Sequence, residues 1–254
     1  MNKQKILELK ENIKIFDDKD NGVIAFGDGP ISLDSYCNSN FPIVFILQEP
    51  YTDDEKYLKY LSGEYERPNT AEDKLCYTSM NLWYEEEGGG AGYATYLPMV
   101  SIVSQIFENA NFYKMCKDED AYMRFVSNVA ILNVKKSPNV EVASSLEYSK
   151  WAKDERNLQY MISQLNALSP RLVIMANIAN YLPSNSNCSI WGNLIDSENN
   201  FCTKEGNTVY YNDRTLYIDT NHFSRLANSK KDEIIKMAIA WKNGDKVNVR
   251  TFKG

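Results

Sequence analysis

The sequence predicts an α/β fold: a three-layer sandwich in which helices flank a central, mostly parallel four-stranded sheet. Three observations predict it. Four short, continuously apolar runs recur at residues 41–47, 129–132, 172–176 and 216–219. Stretches of helical periodicity separate them. Each run stops abruptly at polar residues: Gln48 and Glu49, Asn133, Asn177, and Asn221-His222. Runs with no polar alternation suit strands covered on both faces, as in parallel sheets. Strand and helix in alternation then argue for crossover connections and a doubly covered sheet.

The elements follow in order. Residues 3–16 space Ile6, Leu7, Leu9, Ile13 and Phe16 at helical intervals, so a helix is expected. Residues 17–30 carry Asp, Asn, Gly and Pro and read as turns. The first strand, 41–47, precedes a charged helix and loop at 53–67. Glu85-Glu86-Glu87-Gly88-Gly89-Gly90 reads as a flexible acidic loop. It lacks the G-x-x-x-x-G-K-[ST] spacing that would cradle a nucleoside triphosphate. A helix over 98–109 would hold Pro98 near its first turn, where its missing N–H costs nothing. A short helix is expected at 119–126 before the second strand. One long helix over 146–168 ends at Ser169-Pro170. After the third strand a helix starts near Ile178, and residues 183–207 read as an irregular, Asn-rich excursion. A helix at 229–242 follows the fourth strand.

Composition bounds the function classes. The 254 residues suffice for one domain spanning 1–254, and no Pro-, Gly- or Ser-rich linker divides them. The formal charge of -6 gives no overall basic face, so contact with nucleic acid requires a local patch. Lys135-Lys136 and Lys230-Lys231 read as solvated faces. Five scattered cysteines without a C-x-x-C pair suggest free thiols in a reducing compartment, and neither a zinc site nor a disulfide framework. The first residues have no apolar signal region, and no window has the roughly 20 apolar residues of a membrane span. A soluble, cytoplasmic monomer without metal or cofactor is expected.

In open α/β sheets ligands bind beyond the carboxyl ends of the strands. The polar residues that close these strands are therefore the candidate site. Residues 44–51, Val-Phe-Ile-Leu-Gln-Glu-Pro-Tyr, resemble the first motif of the uracil-DNA glycosylase superfamily, an apolar strand running into G-Q-D-P-Y-H. Val129-Ala130-Ile131-Leu132-Asn133 resembles its L-L-L-N strand. His222-Phe223-Ser224-Arg225-Leu226 resembles its closing H-P-S-P-L motif, and His222 is the only histidine. The three occur in the family's order.

The resemblance implies a glycosylase that flips a nucleotide out of the stack and hydrolyses the bond between uracil, or a related damaged base, and deoxyribose. It implies that Glu49 orients water and steadies the sugar cation, and that His222 stabilises charge on the leaving base. Gln48 would contact the base, Tyr51 would exclude a 5-methyl group, and Asn133 would read the amide edge. Tyr96 would stack on the ring. Ser224, Arg225 and Leu226 would meet the DNA, with Leu226 as the wedge. DNA containing uracil or a modified base is the implied partner.

Physical chemistry supports the assignment independently. An amide matches the N3–H and O4 of uracil with one donor and one acceptor. A donor at the leaving oxygen acts as an oxyanion hole, and a carboxylate beneath a sugar cation follows glycosidase logic. The chain departs from the family pattern at Leu47 for Gly, Glu49 for Asp, Thr52 for His, and Phe223 and Arg225 for the two prolines. These departures, with the acidic charge, keep a second reading open: a non-catalytic protein of the same fold that binds a nucleobase, nucleotide or modified nucleic acid. An unrelated α/β protein, flavodoxin-like or a small-molecule hydrolase, is disfavoured by the absence of G-x-S-x-G, of G-x-G-x-x-G and of a second histidine.

Overall fold

The computed structural model describes residues 1–50, 54–67, 69, 91–108, 118–138, 145–179, 200–245 and 249–254. The strands are β1 (Gly29–Pro30), β2 (Ile43–Leu47), β3 (Val129–Asn133), β4 (Leu172–Ala176), β5 (Asn200–Cys202), β6 (Thr208–Tyr211) and β7 (Leu216–Thr220). They form one mixed sheet in the order β1-β3-β2-β4-β7-β6-β5. The four apolar runs supply its middle, β3-β2-β4-β7, and are mutually parallel. The sheet is nevertheless seven-stranded, not four-stranded. β1 adds antiparallel to β3, and the β5–β6 hairpin adds antiparallel to β7. A two-residue Gly-Pro strand carries no periodicity to detect. β6 alternates buried and half-buried residues inside a polar stretch, so its signal is weak.

The helices are α1 (Lys3–Asn12), α2 (Leu33–Asn38), α3 (Asp54–Ser62), α4 (Ala91–Glu108), α5 (Glu119–Val126), α6 (Ser145–Lys153), α7 (Glu155–Leu168) and α8 (Asn228–Lys242). Two cores result, because side chains along a strand alternate between faces. Ile43, Phe45 and Leu47 of β2 pack with residues of α4, α5 and α8. Val44 and Ile46 of the same strand pack with α1, α6 and α7. Helices thus cover both faces. Among the described residues no helix is long and apolar enough to cross a membrane.

Three helical boundaries differ from expectation. Residues 3–16 split into α1 and a 3₁₀ turn, Ile13–Phe16. α4 begins seven residues earlier than expected, at Ala91 rather than 98, so Pro98 lies inside it and not in its first turn. The long helix at 146–168 is two helices, because Asp154 adopts an extended conformation (φ -69°, ψ 118°) and caps α7. Its carboxylate accepts from the backbone N–H of Asn157 at 2.8 Å. Such a cap contributes about 1 kcal/mol. Asp154→Ala is expected to lower the urea unfolding free energy by that amount while leaving the slope against urea unchanged.

Each outer strand has a neighbour of another kind. β1 contains Pro30, which has no N–H to offer. Along β5, the Lys204 N–H donates to the carbonyl of Phe252 at 3.3 Å, and the Gly254 N–H donates to the carbonyl of Cys202 at 2.9 Å. On the inner side of the hairpin, Glu233 of α8 accepts from the Asn207 amide at 2.7 Å and from the Thr203 hydroxyl at 2.5 Å.

Candidate functional site

The sheet gathers the polar strand ends along one edge. In register, Asn133 lies beside Leu47, the residue before Gln48, and Ala176 lies beside Thr220. The order along this edge is Asn133, Gln48, Asn177, Asn221. Strands sit about 4.8 Å apart, so the ends of β3 and β7 are about 14 Å from one another. The turn after β7 folds back toward β2: the rings of Phe223 and Phe45 meet edge to face, 5.4 Å between centroids. His222 thereby starts a segment that returns over the middle of the sheet.

Asn133 is buried at 0% exposure. Its Nδ2 donates to Asp28 Oδ1 at 2.8 Å, and its backbone N–H donates to the same oxygen at 3.1 Å. The other oxygen of Asp28 receives Lys136 Nζ at 2.5 Å. That ammonium also donates to the Asn133 carbonyl and, at 3.2 Å, to Gln164 Oε1, and it lies over the Tyr160 ring. Burial lowers the Lys136 pKa, and the Asp28 carboxylate opposes that shift. Asn133 therefore belongs to a polar knot inside the protein. Lys135 and Lys136, expected on solvated faces, are 2% and 0% exposed. A lysine can be buried when its three donors find acceptors, as those of Lys136 do.

Glu49 is partly exposed, with its carboxylate 3.7 Å from the buried Lys135 Nζ. Gln48 is half-buried, and its carbonyl accepts from the Lys135 N–H at 2.8 Å. Lys135 thus fastens the Gln48-Glu49 pair to the end of β3. On the far strand, His222 caps the 3₁₀ turn Phe223–Arg225. Its Nδ1 accepts from the Ser224 N–H at 3.4 Å and lies 2.8 Å from the Ser224 hydroxyl. A backbone N–H can only donate, so the neutral ring carries its proton on Nε2. Burial lowers the His222 pKa, and Arg225 adds to the effect, both favouring the neutral ring.

Asp219 is a further carboxylate at this edge. It accepts from the N–H groups of Ile178 at 2.8 Å and Ala179 at 3.2 Å, clamping the turn that follows β4. Asn177, at the start of that turn, has a left-handed φ of 58°. Burial raises the Asp219 pKa to about 6 against the opposing pull of these N–H bonds.

The remaining candidates fall in different places. Tyr96, on α4, is 5% exposed and packs into the core, so its ring presents no open face for a base. Leu226 is half-buried and packs against the same core. Ser224 and Arg225 are exposed. Tyr51 lies outside the described residues. Of two cavities near the helical layers, one of about 10 Å³ has Asp28, Gln164 and Leu132 in its wall, room for a single water. The other is a groove of about 160 Å³ lined by Lys150, Trp151, Asp154 and Arg156. Neither includes Gln48, Glu49, Asn133 or His222. Among the described residues no group of three or more His, Cys, Asp or Glu is placed to hold a metal ion.

Sequence reasoning missed Asp28, Asn157 and Asp219. For Asp219 a signal existed, a carboxylate ending an apolar strand. For Asp28 none did, since its turn gives no hint of a partner 105 residues away. No protein-family model and no curated protein matches the chain.

Proposed function

We propose that the carboxyl edge of the parallel sheet hydrolyses the N-glycosidic bond of uracil, or of a related damaged base, in DNA. The observation that carries this reading is the state of His222. A neutral ring with its Nδ1 held by the following turn has its Nε2–H left to act as a donor. It can stabilise negative charge growing on the departing base oxygen without first giving up a proton. Glu49 provides the opposite charge for the sugar cation, and Lys135 holds the segment that carries it. Gln48, Tyr51 and Asn133 are the proposed base-contacting residues, with Ser224, Arg225 and Leu226 toward the DNA; Tyr96, enclosed in the core, is not among them. For Asn133 the proposal has a specific form. Asp28 fixes the plane and flip of its amide, so any reading of a base uses one set orientation.

A second reading, binding of a nucleobase or nucleotide without hydrolysis, is favoured by one feature. The Glu49 carboxylate is partly offset by Lys135, which weakens its field at a sugar cation.

The test is excision from a labelled single-stranded oligonucleotide carrying one deoxyuridine, followed by hot alkali. Wild type is expected to cleave. His222→Ala is expected to lose about 10²–10³-fold in rate, the cost of removing one such donor. Glu49→Gln serves as the second variant, whereas Asn133→Ala would open the interior knot and confuse folding with chemistry. The wild-type rate is expected to fall with acid below the usual histidine pKa, because protonation draws Nδ1 away from its N–H donor. No cleavage by the wild type at low salt would turn the assignment to the binding reading, with a screen of bases and nucleotides for thermal stabilisation as the next step.

A further inference from the structure

A groove lies between α6 and α7. Its walls are Lys150, Trp151, Asp154 and Arg156. Trp151 is half-buried, and its indole lies 5.8 Å from the Phe16 ring. Arg156 lies over the Phe16 ring, 5.0 Å from its centroid, and donates to the Ile15 carbonyl at 3.4 Å. The guanidinium is thereby held in place while remaining exposed. Lys150 is exposed too. Among the described residues, neither cation forms an ion pair. The Asp154 carboxylate is engaged as the cap of α7.

The groove is also anchored to the candidate site. Asn157, wholly buried, donates to the Trp151 carbonyl at 3.0 Å and to the Val134 carbonyl at 2.7 Å. Val134 directly follows Asn133. One side chain therefore ties the groove to the carboxyl end of β3. Its volume of about 160 Å³ is below the ~300–1,000 Å³ of ordinary small-molecule pockets. It suits part of a longer ligand that continues along the surface. An aromatic wall beside two cations matches the alternation of base and phosphate in a single strand.

We infer that this groove binds single-stranded DNA, one base against Trp151 and the adjoining phosphates at Lys150 and Arg156, beside the strand end that carries Asn133. The inference rests on the proposed glycosylase reading only for where the strand leads. It also answers how a chain with charge -6 can hold DNA, through a local patch.

The test is fluorescence anisotropy of a labelled short oligothymidylate, which contains no uracil, compared with a strand of equal charge built from abasic sites. Wild type is expected to bind the thymidine strand about tenfold more tightly, the low end of what stacking one base is worth. Trp151→Leu, which keeps an apolar side chain, is expected to abolish that preference. Lys150→Gln with Arg156→Gln, both at exposed positions, is expected to weaken binding. It should also reduce the magnitude of the log affinity–log salt slope by about 1.4, since each single-strand phosphate contact contributes about 0.7. No binding, equal affinity for the two strands, or binding unchanged in the double variant would overturn the inference. Binding without excision of deoxyuridine would leave the groove standing and remove the glycosylase reading, so the two fail separately.

Discussion

Asp28→Ala is expected to destabilise the protein by about 3–5 kcal/mol, the usual cost of stripping one partner from a buried ion pair. The change leaves the Lys136 ammonium at 0% exposure with only the Asn133 carbonyl and Gln164 to receive it. It also takes the acceptor from both the side chain and the backbone of Asn133. Urea unfolding followed by circular dichroism measures the loss. The paired replacement, Asp28→Leu with Lys136→Met, removes both charges together and is expected to recover most of it. A loss below about 1 kcal/mol in the single variant would show that the pair carries little of the local order.

The second large effect concerns pH. The Asp219 carboxyl has an unfolded value near 3.8 and a folded value of about 6. The native state therefore holds more protons than the unfolded chain between these values, so this group's contribution to stability falls as pH rises through the window. Two units correspond to about 3 kcal/mol. In Asp219→Asn that dependence disappears. The variant cannot match both clamped N–H groups, because its amide nitrogen would face a donor, and one unsatisfied N–H costs about 1–3 kcal/mol. Denaturation from pH 4 to 7 is expected to show the wild-type advantage over Asp219→Asn shrinking with rising pH. An advantage that grows instead would mean that the N–H bonds, not burial, dominate this carboxylate.

The expected elements and the observed ones agree where a single local rule governs. Five consecutive buried residues in β2 or β4 leave little choice but a covered strand. The helix at 119–126 follows from the Asp118 cap and the acidic first turn. Agreement ends where the deciding partner is far away in sequence. One apolar period runs straight through residues 146–168, and only Asp154 choosing its cap over the helix interior divides it. Lys135 and Lys136 look like ordinary surface lysines until Glu49 and Asp28 are brought to them. Asn133 reads as a strand-ending polar residue, and its position at the end of β3 is as expected. Its bond to Asp28 spans 105 positions and has no local trace.

The short strand β1 and residues 252–254 have a consequence for the molecule in crowded solution. An open sheet offers unpaired N–H and C=O groups to any passing chain, and a long apolar rim is a template for fibre growth. Here one rim ends in a two-residue strand whose proline cannot extend the ladder. At the other, the backbone of Phe252 and Gly254 occupies groups of β5 and its neighbour Lys204. Among the described residues each margin thus carries a feature that discourages the pairing of another strand, a proline at one and the chain's own backbone at the other.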